Sequence, residues 1–284
     1  MSSEVGATLA FGVLAFLLLF VGARRGFFQF PIVPWDVPVR LIHLVGAFAI
    51  YFVITSFISV LAIEFMRKQI MLEYMAYSSW LNFGISLCVF LFLALYFILL
   101  PKAVQKGILH RSEEKFAISE DIWTALYAWI LAFPLVLFLS QALEMAVTKI
   151  FHATQLPDQA AVKFLKSTFD HPLYFLLAVI SIVIFAPLIE ETLFRGFLQT
   201  YIRKHLGPRQ AIFITSVCFS LFHYSAGQGL GNISIILSLF ILALFLGFLY
   251  EKQGSLLSPM ILHASFNTVS VVNLYLFGGF TTGI

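Results

Sequence analysis

Charge is scarce in this sequence. Only 11% of its 284 residues are Asp, Glu, Lys or Arg, while 61% are hydrophobic and the mean hydropathy is +0.97. A soluble domain carries about 25% charged residues, so a water-soluble globular fold is excluded. The net charge of +3 is too small to hold a phosphate backbone, and no nucleic-acid partner is expected. Cysteine is almost missing. Cys88 and Cys218 both lie in apolar runs, which leaves neither a disulfide framework nor a cysteine metal site. The first apolar run is preceded by Glu4 and by no Lys or Arg, so it lacks the basic flank of a cleaved signal peptide. Internal repeats, low-complexity tracts and a separate soluble domain are missing too. The glycine-rich stretch Ala226–Gly231 has no Lys-Ser/Thr after it, and reads as a flexible loop rather than a phosphate cradle.

Long apolar runs fill the chain: Val5–Ala23, Leu41–Ile63, Trp80–Leu100, Ile122–Leu143, Leu173–Ile189, Ile233–Tyr250 and Leu256–Phe277. Each has about the 17–25 residues that cross a bilayer as a helix. Ala211–Phe222 is apolar but short, nearer a half-span. The expected fold is all-α, a polytopic bundle of about eight transmembrane helices around a polar intramembrane cavity. The connector Gly26–Pro38 holds three prolines and four aromatics. Proline excludes a regular helix there, and the rings suit the headgroup level. Leu156–Phe169 alternates apolar and charged residues. It reads equally as an interfacial helix or as a solvated connector.

Arg24 and Arg25 close the first run, which sets its C-terminal end in the cytoplasm and its N-terminus outside. With that start, the inner connectors carry eleven Lys and Arg residues: Arg24, Arg25, Arg40, Lys102, Lys106, Arg111, Lys115, Arg203, Lys204, Arg209 and Lys252. The outer ones carry five: Arg67, Lys68, Lys149, Lys163 and Lys166. The excess favours this orientation. It sets Glu190 and Glu191 toward the cytoplasmic end of the fifth span. The short sixth helix is the weak point, since losing it flips the last third of the chain.

Against so apolar a background, a few polar residues stand out. Glu190, Glu191 and Arg195 follow the fifth run directly. An ionised side chain in hydrocarbon costs roughly 3 kcal/mol or more unless paired or wetted. Glu191 and Arg195 are four apart and share a helical face, so they can pair. Glu190 is turned about 100° away and has no such partner. Pro187 can kink the helix just ahead of them. His223 ends the short run. His263 and Asn267 share one face of the last run, being four apart; alone they could be interhelical hydrogen-bond glue. Asn273 is a weaker candidate. Together, an acid, two imidazoles, a carboxamide and a guanidinium offer a general base and several hydrogen-bond donors. Amide hydrolysis needs this set: water is deprotonated, the oxyanion held and the leaving amine protonated.

The ordered triple Glu190-Glu191-x-x-x-Arg195, Phe219-x-x-x-His223 and His263-x-x-x-Asn267 resembles the signatures of the CPBP family of intramembrane proteases, the type II CAAX prenyl endopeptidases and bacteriocin-processing or immunity proteins. The resemblance divides the chain into N-terminal helices and connectors, 1–171, a catalytic core, 172–277, and a tail, 278–284. It implies a peptidase that cuts a membrane-associated, CAAX-type or other, peptide or protein substrate within the lipid bilayer. It implies a plasma-membrane location and a water-filled cavity facing the cytoplasm. By it Glu190 and His223 activate water, His263 and Asn267 bind the oxyanion, and Glu191 and Arg195 orient the site. Both glutamate-type and metal-dependent mechanisms fit such a family. With no His-Glu-x-x-His in the chain and no ligand four residues from either imidazole, no cofactor is expected. Zinc on Glu190, His223 and His263 is the alternative. Outside catalysis, the same residues could serve a membrane scaffold or an immunity protein.

Overall fold

The computed structural model describes residues 2–29, 38–66, 74–109 and 118–278. Most of the proline-rich connector, together with Arg67, Lys68, Arg111, Lys115 and nearly all of the tail, lies outside them.

Every described long element is helical. Seven helices are long and apolar enough to cross a membrane: α1 (Ser2–Arg24), α2 (Leu41–Met66), α3 (Tyr74–Leu99), α5 (Ile118–Ile150), α7 (Pro172–Leu206), α9 (Gly231–Gln253) and α10 (Leu257–Phe277). Two short helices, α4 (Lys102–Leu109) and α6 (Ala160–Ser167), lie in connectors. The expected sixth span is α8 (Pro208–Phe222), 15 residues. At 1.5 Å per residue it reaches about 22 Å, short of a ~30 Å hydrocarbon core.

These helices are apolar on nearly all sides, as lipid demands. Leu9, Val13 and Phe16 of α1 are each at least 60% exposed, a surface that only hydrocarbon would cover. Between apolar helices in lipid, close packing replaces the hydrophobic effect, and small residues permit it. α5 is the central post. Ala125, Ala128 and Ala132 are fully buried on it, and it packs against α1, α9 and α10. Gly12 and Gly22 of α1 face Phe138 and Leu131, so closely that a methyl on either glycine would meet the ring or branch at 2.8 and 3.0 Å. A second apolar cluster joins α2, α3 and α4 to α7 through Val89, Leu93, Ile108, Leu193 and Phe197. Residues before and after 172 thus share both cores.

One expectation about α7 is corrected. Its apolar run stops at Ile189, yet the helix continues to Leu206. Glu190 and Glu191 are therefore near its middle, not at its cytoplasmic end. The charges do not end the helix because Glu191 is buried and paired with Arg195, while Glu190 lines the cavity. Nor does Pro187 break it. α7 contains two wide turns with five-residue hydrogen-bond spacing, Ser181–Phe185 and Thr192–Gln199, a feature often placed at functional sites. Pro187 follows the first, beyond Ala186, whose N–H donates to Ser181 O. The turn accommodates the missing donor.

The glycine-rich stretch is also different from expectation. It is a hydrogen-bonded turn pinned by Asn232, which donates to the carbonyls of Ser225 and Gly229 at 2.8 and 3.0 Å and accepts from the Ser225 N–H at 3.0 Å. Gly229 supplies its positive φ of 49°.

The two ends of the bundle are fixed by contacts. At one end Lys252 Nζ donates to Gln29 O at 2.8 Å, Tyr96 Oη to His43 O at 3.1 Å and Tyr250 Oη to Ile108 O at 3.1 Å. At the same end Asp121 accepts from the hydroxyls of Ser255 and Ser258. At the other end Thr8 Oγ1 of α1 donates to Gln141 Oε1 in the second half of α5, 2.9 Å away.

Candidate active site

The second half of α7 is tied to α9 by a polar ladder. Arg195 Nη2 donates to Ala243 O at 3.1 Å, Gln199 Nε2 to Gly247 O and Glu251 Oε1 at 2.9 Å each, and Arg203 Nε to Glu251 Oε2 at 2.7 Å. Both sets of residues recur every four positions, one helical turn apart. Gly247 is small because Gln199 crosses it: a Cβ there would be 2.8 Å from Gln199 Oε1. Gln199 and Glu251 were not among the expected residues. The signal was present in the spacing Arg195, Gln199, Arg203, beyond the point where the apolar run stopped.

Arg195 and Glu191 are both completely buried, with Arg195 Nη1 3.1 Å from Glu191 Oε1. The guanidinium also stacks 4.5 Å above the Phe219 ring centre. A buried ion pair is tolerated when further hydrogen bonds satisfy it. Here Glu191 Oε1 is also 2.8 Å from His263 Nδ1. A carboxylate accepts, so Nδ1 carries the proton and the ring is held with Nε2 outward.

Glu190 turns the other way, as consecutive residues on a helix must. Its Oε2 is 3.7 Å from His223 Nε2 and 4.0 Å from His263 Nε2. That oxygen is buried and makes no direct hydrogen bond. His223 caps the end of α8, and its Nδ1 is 2.9 Å from Phe219 O. A carbonyl can only accept, so here too the proton sits on Nδ1. Asn267 Nδ2 donates to Ile182 O at 2.7 Å, a carbonyl inside the first wide turn of α7. One amide proton stays available, since the carboxamide has two.

The structure therefore brings Glu190, Glu191, Arg195, His223, His263 and Asn267 together from α7, α8 and α10. Glu190, His223, His263 and Asn267 line a cavity of about 650 Å³, within the ~300–1,000 Å³ range of small-ligand pockets. Asn273 lines it too, with a buried and unpartnered Oδ1. Beneath the site Phe219, Leu246 and Tyr250 are fully buried and Phe194 nearly so. At the opposite end the walls are Glu144 of α5, Gly231 of α9, Gly278 after α10 and the strap Gln155–Lys166 that contains α6. The strap is braced by Lys166 Nζ on Asp158 Oδ2 at 2.7 Å. Among the described residues no group of three His, Cys, Asp or Glu side chains is arranged to hold a metal ion.

The cavity mouth bears on orientation. The lining reaches the end of the bundle that carries Lys149, Lys163 and Lys166, while Arg24, Arg40, Lys106, Arg203 and Lys252 lie at the other. The charge count, which sets this end outside, and the expected cavity facing the cytoplasm point in opposite directions.

Fold and site together define a class: a polytopic helical membrane protein with an acid–imidazole centre near the middle of its α7 span. Residues 172–269 match the family model described as Type II CAAX prenyl endopeptidase Rce1-like. The matched segment runs from the start of α7 into α10 and holds all seven residues of the expected triple signature. No curated protein and no solved structure matches the chain.

Proposed function

We propose that the chain is an intramembrane endopeptidase of the glutamate type, with residues 172–277 supplying the chemistry and 1–171 the walls. One observation carries this reading. Glu190 Oε2 and His223 Nε2 are both acceptors, and they face each other across 3.7 Å. Two acceptors cannot bond one another, but one water can donate to both at about 2.8 Å. That water would be oriented and deprotonated by the pair, and its lone pair would point into the cavity. His263 Nε2 and the second N–H of Asn267 then serve the carbonyl oxygen as charge builds on it. His263 can donate from Nε2 only as an imidazolium. In that state two carboxylates face two cations, Arg195 and His263, and the buried cluster is neutral.

The substrate would be a membrane-associated peptide. A prenylated C-terminal tail is what the family's description names; the same chemistry acts on any peptide that reaches the cavity. A plasma-membrane location belongs to this reading. The test is Glu190→Gln in purified, detergent-solubilised protein with a fluorogenic lipid-anchored peptide. Loss of a general base lowers the rate by about 10²–10⁴-fold, and size-exclusion elution should be unchanged. Wild-type turnover in Glu190→Gln would remove the assignment. If a protective phenotype survives Glu190→Gln in cells, the cell uses the chain as a scaffold or immunity protein instead.

One observation favours a zinc-dependent variant. Both imidazoles present Nδ1 to an acceptor and leave Nε2 outward, the arrangement that orients histidine ligands. Glu190 Oε2 lies 3.7 and 4.0 Å from the two Nε2 atoms, wider than the edge of about 3.3 Å that a tetrahedral site with ~2.0–2.1 Å bonds requires. A bound zinc would supply Lewis-acid activation of water. In the metal-free mechanism a chelator leaves the rate unchanged. Loss with a chelator and recovery with zinc selects the metal.

A further inference from the structure

The orientation conflict can be resolved from the molecule itself. The charge count had one weakness, the short α8, whose loss would have flipped everything after it. The structure removes that weakness. α8 enters the bundle from Gly207, whose φ of 83° turns the chain at the end of α7. The turn after His223 reaches the strap, where Gly231 lies so close to Pro157 O that a Cβ would be 2.9 Å away. α9 then returns, and Lys252 bonds the backbone just after α1. α8 and α9 form a hairpin that begins and ends at one face, whether or not α8 counts as a span. Among the described residues, nine of the cations assigned to inner connectors therefore belong to one face of the chain's topology, and three of those assigned to outer connectors to the other. These connectors are short, the regime in which Lys and Arg decide orientation.

The strap, Glu144, Gly231, Ser270 and Gly278 line the cavity toward the poorer face. We infer that the cavity opens on the non-cytoplasmic side, and that its substrates are peptide segments presented at the outer leaflet, such as exported lipid-anchored peptides or the freed ends of secreted or membrane proteins. This rests on the peptidase reading for its substrates but not for its orientation. It sets the chain apart from an enzyme that trims lipidated tails in the cytoplasm.

The experiment uses the full chain in intact cells, in a Cys88→Ala/Cys218→Ala background. Gln155→Cys on the strap and Ser270→Cys in the cavity wall report one face; Lys106→Cys on α4 reports the other. A membrane-impermeant maleimide is applied before and after permeabilisation. Gln155→Cys and Ser270→Cys should label in intact cells, and Lys106→Cys only after permeabilisation. The reverse pattern, or equal labelling of both faces, overturns the orientation. A lipid-anchored fluorogenic peptide added outside the same cells should be cleaved by the unlabelled parent and not by its Glu190→Ala variant. If the labels fall as expected and Glu190→Ala still cleaves, the peptidase assignment fails while the orientation stands. If the parent cleaves only peptide delivered inside, the substrate inference fails.

Discussion

At the scale of single residues, the site is a pair of neighbours with opposite surroundings. Glu191 is enclosed by a guanidinium and an imidazole; Glu190 has a buried oxygen with no direct partner. Removing one half of a buried ion pair leaves the other uncompensated, at a cost of about 3–5 kcal/mol. Arg195→Met should lower stability by that order, and Glu191→Gln/Arg195→Met should recover much of it. Thermal unfolding in detergent measures both; a double variant no better than the single would mean that the pair is not what holds α7 to α8 and α9. Polar residues interrupting apolar runs were readable directly: Glu190, His223, His263 and Asn267 stand out because hydrocarbon gives them no reason to be there. Gln199 and Glu251 were not, because each lies near where a run ends and passes for an ordinary interfacial residue. What Asn267 holds was also hidden. Its partner is a backbone carbonyl, Ile182 O, and nothing in a sequence marks a carbonyl as free.

At the scale of elements, helix existence followed from apolar length, and helix ends did not. The fifth run ends at Ile189 because charge begins there, whereas α7 ends at Leu206, where Gly207 turns the chain. Hydropathy stops at a charge; a helix stops where its backbone turns. The wide turns of α7 have no compositional signature, since each depends on one extra residue being accommodated against its neighbours, α3 and α10 for the first and α2 and α8 for the second. Packing at the second wide turn is tight. A Cβ on Gly196 would lie 2.9 Å from Ile108 Cγ2, and Ile108 is fully buried. Gly196→Ala should destabilise by about 1–3 kcal/mol through overpacking. Ile108→Ala removes the obstructing methyl at a cost of its own. The double variant should cost less than the sum of the two singles by ~1 kcal/mol, the coupling expected of residues in contact. Strict additivity would show that α4 does not press on α7 there.

At the scale of the molecule, the class of architecture was legible from composition alone. Where the helices part to admit water was not, because that depends on which ends splay, and every run is apolar along its whole length. The charge count gave an orientation and the family resemblance gave a cavity; only the packed structure shows which face the cavity belongs to.

The buried floor of Phe194, Phe219, Leu246 and Tyr250 has a consequence for traffic. A cul-de-sac admits a loose terminus as one strand, while the middle of a chain must fold back on itself and needs double the width. Whatever is cut off must leave by the way it came, ahead of the next arrival. Such a chamber trims tails and spares interiors. A peptide whose far end is plugged by a compact protein tag should therefore resist cleavage when the same peptide with that end bare is cut, and equal rates for the two would show a second exit.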